Sequence, residues 1–119
     1  MTTHLDLFTR AYLTAALFTE DPNPSQGEFC ERDNWSIDCI DDASILEASN
    51  DCVLFQEKAG ERIADDLEHA GRDFWYTRNG HGCGFWDGDW SEADGKFLTD
   101  LAKTFGESYL SVSIQIGAV

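Results

Sequence analysis

Within "DFWYTRNGHGCGFWDGDW", residues 73–90, His81 and Cys83 stand two positions apart. A thiolate beside an imidazolium is an activated nucleophile, so the pair is a candidate for covalent catalysis. Asp87 and Asp89 follow in the same run. With Ser91 and Asp94 they form an oxygen-rich cluster of the kind that holds calcium. Each candidate is incomplete on its own chemistry. No third side chain is evident to orient His81, as a working nucleophile–base pair requires. Counted from Asp87, Glu92 stands where a calcium loop needs glycine, and Leu98 stands where it needs a bidentate glutamate.

Gly80, Gly82 and Gly84 alternate through the same stretch and raise the question of a phosphate cradle. Such cradles join a strand to a helix and usually recruit a lysine, whereas two aromatic runs flank this one. Glycine here supplies backbone freedom or lets an indole lie over bare backbone. The stretch therefore reads as a structural signature, with no catalytic residue, no metal and no cofactor expected. Phe74, Tyr76, Phe85 and Trp86 are expected to build the core or a recognition surface. Arg78 is expected to pair with Asp87 or stack on an indole. Arg78, His81 and Trp86 form the alternative set of partner contacts at this corner.

The elements that would position these residues follow from periodicity. "TTHLDLFTRAYLTAALFTE" predicts a helix capped by Thr3, with Asp6 in its first turn and Leu5, Phe8, Tyr12 and Ala15 or Ala16 along one face. The proline-containing stretch that follows is expected to be a long loop. "DDASILEASNDCVLFQEKAGERIADDLEHAG" predicts a second helix whose Ile45, Ala48, Cys52, Phe55, Ala59 and Ile63 share a face, broken at Gly60 and ended by Gly71. Residues 73–78 and 84–87 read as two strands of a hairpin, because Asn79-Gly80 suits a tight turn. Ser91 and Asp94 open a third helix carrying Ala93, Phe97, Leu101 and Phe105, with Gly106 as its stop. "YLSVSIQIG", with Leu110, Val112, Ile114 and Ile116 on one side, alternates as a strand. These elements predict one α+β domain over residues 1–119, three helices on one face of a small three-stranded antiparallel sheet.

Charge is the chain's abnormal property. The 119 residues carry 23 acids against 8 bases, a formal net charge of -15. Most of the excess lies between Glu20 and Glu68, where Arg32, Lys58 and Arg62 are the only bases. Such a chain repels nucleic acid and anionic membrane and attracts basic surfaces. No apolar run approaches the length of a membrane span. Cys30, Cys39, Cys52 and Cys83 contain no C-x-x-C pair, which argues against structural zinc, and no secretory signal precedes them, so they are expected to be reduced.

"DFWYTRNGHGCGFWD", with "LAKTFGE" downstream, resembles a group of short proteins encoded by tailed phages and prophages. The specific likeness covers residues 73–87, and a looser one runs through "AYLTAALF", the acidic middle and the third helix. Cys83 and the "GDWSEADG" segment depart from the group's pattern. The resemblance implies an origin, and with it the cytoplasm of an infected bacterial host, without implying a mechanism.

Origin and charge together lead to an expected function. The chain is expected to be a non-enzymatic acidic binding protein that inhibits a host nucleic-acid-binding or defence complex, such as a CRISPR or restriction effector, with DNA mimicry as its sharpest form. Its partner would be a host protein with a basic surface, met by Glu47, Asp51, Glu57, Glu61, Asp65 and Asp66. The alternatives are a small hydrolase or metal-binding protein centred on His81, Cys83, Asp87 and Asp89, and a phage accessory protein with a structural role.

Overall fold

The structure, a computed structural model, describes residues 5–19, 40, 42–80 and 84–108. In chain order it contains helices α1 (Leu7–Thr19), α2 (Asp42–Ala59), α3 (Leu67–Arg78) and α4 (Glu92–Thr104), with a 3-10 turn over Gly60–Ile63 between α2 and α3. The expected α+β architecture is thereby overturned. Among the described residues there is no strand, and residues 73–78, expected as the first strand of a hairpin, are the second half of α3. The terminal strand expected at 109–117, the loop after α1, Thr3, His81 and Cys83 all lie outside the described residues.

α1 opens on Asp6, whose Oδ1 accepts from the Thr9 N–H at 2.8 Å. Asp6 is thus the cap itself, one position before the first turn in which it was expected. The α2 face is as its spacing predicts: Ala48, Cys52, Phe55, Ala59 and Ile63 are buried and Ile45 packs at the edge of the core. Gly60 ends α2 by adopting φ +61, a left-handed conformation that side-chain-bearing residues rarely take.

The chain then restarts as a helix earlier than the aromatic pattern suggests. Asp66 caps α3 by accepting from the His69 N–H at 3.1 Å, and the helix runs straight through Gly71. Gly71 is therefore no terminator. A Cβ there would overlap the Phe8 carbonyl oxygen, so glycine at this position lets α3 lie directly against α1. The helix ends where the hairpin turn was expected. A type I′ turn needs positive φ at both central residues. Asn79 has φ -103 and only Gly80 is positive, at φ +74, so Asn-Gly here serves as a helix C-terminus.

The core is aromatic and centred on Phe55 of α2. Its ring stacks on Phe74 of α3 at 4.2 Å between centroids, on Phe8 of α1 at 5.7 Å and on Phe85 at 5.7 Å, and meets Phe105 at 6.0 Å. One residue thus joins α1, α2, α3, the segment after α3 and the end of α4. α4 begins as its sequence predicts, with the Ser91 hydroxyl accepting from the Asp94 N–H at 3.1 Å. Its buried face is rotated from the expected one. Gly95, Leu98 and Ala102 point inward, Leu101 and Phe105 pack alongside, and Ala93 and Phe97 are exposed.

Candidate functional site

The run from Asp73 to Gly80 proves to be a set of structural ties, each made by a different side chain. Asp73 accepts from the Trp90 indole N–H at 2.8 Å. Thr77, fully buried, accepts at Oγ1 from the Phe85 N–H at 3.2 Å. Asn79 donates to the Trp75 carbonyl at 3.1 Å and accepts from the Ser108 N–H at 2.8 Å. Together they fasten α3 to the segment that follows it and to the chain after α4.

Arg78 is the centre of this set and is buried. Its Nη1 donates to Asp51 Oδ2 at 2.9 Å and to the Tyr12 hydroxyl at 3.0 Å, Nε donates to the Gly106 carbonyl at 2.7 Å, and Nη2 donates to the Phe105 carbonyl at 3.1 Å. The two carbonyls belong to the C-terminal end of α4, where a cation offsets the helix dipole. The expected pairing with Asp87 is replaced by one with Asp51, and the stacking partners are Phe74 and Phe105, with no indole among them. Burial pushes the Tyr12 hydroxyl up to about 12 against the opposing charge of Arg78, so Tyr12 stays neutral at physiological pH. Burial also raises the Cys52 thiol, which is free and enclosed and makes a poor nucleophile.

The residues of the catalytic and metal alternatives have separate partners. Asp87 Oδ2 accepts from the Gly84 N–H at 3.2 Å. Asp89 Oδ2 lies 3.2 Å from His69 Nε2, and Ser91 caps α4. Asp94 pairs with Arg62 at 3.5 Å. Among the described residues no group of three or more His, Cys, Asp or Glu side chains is arranged to hold a metal ion. His69 is the titratable residue that sequence reasoning missed. Its Nε2 faces both Asp73, at 3.1 Å, and Asp89, and its Nδ1 is 3.6 Å from Asp66. A general base needs one free nitrogen, and both nitrogens here face carboxylates. The cluster acts as a clamp between α3 and the segment before α4. Only the four-residue spacing of His69 and Asp73 in the sequence hinted at it.

Of the aromatics, Phe74 and Phe85 are core residues as expected, while Tyr76 is half-buried. Trp75, which the alternating pattern left out, is fully buried and meets Tyr12 edge-on at 5.4 Å. Trp86 is 46% exposed and lies across Gly84, where a Cβ would come within 2.6 Å of the indole. The expectation of an indole over bare backbone holds for this pair.

The acidic set divides. Asp51 is committed to Arg78, and Asp66 caps α3 beside His69. Glu47 and Glu57 on α2, Glu61 on the 3-10 turn and Asp65 before α3 are exposed, and none pairs with a base among the described residues. Arg62 and Arg78 are occupied elsewhere, Arg62 by Asp94 and by the Phe97 ring 3.9 Å beneath it. No helix among the described residues is long and apolar enough to cross a membrane. The chain matches no family model, no curated protein and no solved structure, so its own residues carry the functional reading.

Proposed function

We propose that the chain is a binding protein whose exposed acids engage a basic, nucleic-acid-binding surface of a host protein and occupy it in place of nucleic acid. The observation that carries this reading is the excess charge of Glu47, Glu57, Glu61 and Asp65, exposed and unpaired among the described residues. Arg62 and Arg78 are held by Asp94 and Asp51, which leaves Lys58 as the one other base between Glu47 and Asp65 in the chain. DNA presents about one negative charge per 1.7 Å, and acids fixed on a helix compete for the same lysines and arginines. Phage origin, implied by the resemblance of residues 73–87, makes a defence complex such as a CRISPR or restriction effector the natural target, in the host cytoplasm.

The test is capture from bacterial lysate by the wild type and by a Glu47→Gln/Glu57→Gln/Glu61→Gln/Asp65→Asn variant, at low and high salt. The variant keeps Asp51 and Asp66, which the fold uses. Wild type should retain a basic protein at low salt, release it as salt screens the contact, and yield it to duplex DNA. Capture by the folded variant that equals wild type and resists salt would remove the acids from the contact.

A further inference from the structure

α2 is apolar on two opposite sides. Its inward face carries Ala48, Cys52, Phe55 and Ala59. On the far side, at i, i+7 and i+8, stand Leu46, Val53 and Leu54, which are 64%, 48% and 46% exposed. At 1.5 Å per residue they span a strip of about 12 Å, a little over two helical turns, with Ser49 and Asn50 on the turn between Leu46 and the Val53–Leu54 pair. A surface helix ordinarily keeps that side polar, so three large apolar side chains there stand out. The strip is interleaved with Asn50 and Glu57 and bordered by Asp42, Glu47 and Lys58, all exposed, so three acids stand there against one base.

We infer that this outer face of α2 is the docking surface proper, and that its occupant is a basic amphipathic helix of a partner protein, its leucine-type side chains on the strip and its lysines or arginines on the bordering acids. The inference rests on the acidic-surface reading above and narrows it from a charged patch to a helix-on-helix contact. Charge selects this occupant. A second copy of the chain would set Glu47, Glu57 and Asp42 against their own kind, and nucleic acid or an anionic membrane would meet the same repulsion. A cationic segment with one apolar face satisfies both the strip and its rim, with anchors at the spacing used when helices lie in grooves.

Two labelled peptides of about 14 residues, four helical turns, test this. Both contain the same lysines and leucines; in one the leucines line a single helical face and in the other they are scrambled around it. Binding is followed by fluorescence anisotropy near physiological ionic strength. Wild type should bind the amphipathic peptide at least about tenfold more tightly than the scrambled one. Leu46→Ala/Val53→Ala/Leu54→Ala, which removes the strip while favouring helix, should erase that preference and leave a weak salt-sensitive affinity for both. Leu46→Ala alone should diminish it, and serves if the triple variant does not fold. Glu47→Gln/Glu57→Gln should weaken both peptides together.

Equal binding of the two peptides by wild type would overturn the docking inference and leave the acidic-surface reading standing. Binding of neither peptide at low salt would overturn both. A preference unchanged in the triple variant would place the contact elsewhere. Self-association of wild type in sedimentation, abolished by the triple variant, would assign the strip to a second copy and overturn the proposed occupant.

Discussion

Arg78 of α3 and Asp51 of α2 form an ion pair at 2.9 Å in which the arginine side chain is 3% exposed and the aspartate 25%. The same guanidinium holds the Tyr12 hydroxyl of α1 and two carbonyls at the end of α4, so one cation ties all four helices. An acid that charge patterning assigns to a partner surface is thereby a component of the fold.

Arg78→Met should cost about 3–5 kcal/mol in chemical denaturation, because it strands Asp51 and the α4 carbonyls. Asp51→Asn should cost about 2 kcal/mol by leaving a buried guanidinium without its counter-charge. Arg78→Lys should not restore stability, since a single ammonium cannot reproduce the planar fork. An Asp51→Asn protein as stable as wild type would return Asp51 to the surface set.

Gly71→Ala should destabilise by about 1–3 kcal/mol although alanine is the better helix former, because the added Cβ overlaps the Phe8 carbonyl. Thermal melts decide the sign. A stabilised variant would mean that α1 and α3 do not approach at this point.

The two tryptophans flanking the glycine-rich segment should behave oppositely. Trp75→Ala, which empties a fully buried site, should cost about 3–5 kcal/mol. Trp86→Ala should stay within about 1 kcal/mol of wild type, because nearly half of that side chain is already in water. Comparable losses at both positions would contradict the burial of Trp75 and the exposure of Trp86.

Burial raises the Asp73 carboxyl above its usual 3.8; Asp87 and Asp89 add to the rise, while the Trp90 hydrogen bond and His69 oppose it. His69 is in turn faced by Asp66 and Asp89. A group raised on folding contributes stability that is fully present below its unfolded value and lost as pH rises through its folded value. Asp73→Asn can still accept from Trp90 and does not titrate. The melting temperature of wild type minus that of Asp73→Asn should therefore be largest below about pH 3.8 and shrink or reverse toward neutrality. A difference that is constant over that range would show that Asp73 is not held in the environment described.

The sequence by itself determined the features that depend on neighbours along the chain: the buried face of α2, its break at Gly60, and the Ser91 cap with Gly106 beyond the end of α4. Each is a period, a cap or a backbone preference that needs no knowledge of distant residues. Tertiary structure decided the rest. The aromatic run from Phe74 to Tyr76 satisfies a strand's alternation and a helix's period alike, and its β-forming preference is weak against packing. The stacking of Phe74 on Phe55 and the approach of Gly71 to Phe8 favour the helix, and Asn79-Gly80 then becomes its terminus. The face of α4 turned for a similar reason: Leu98 goes inward, and Phe97 stays out under Arg62. Charge was legible as a total, but which acids remain available to a partner was not. Asp51 and Asp66 are drawn into the fold by Arg78 and by the start of α3, and only contacts between residues far apart in the chain separate them from Glu47, Glu57, Glu61 and Asp65.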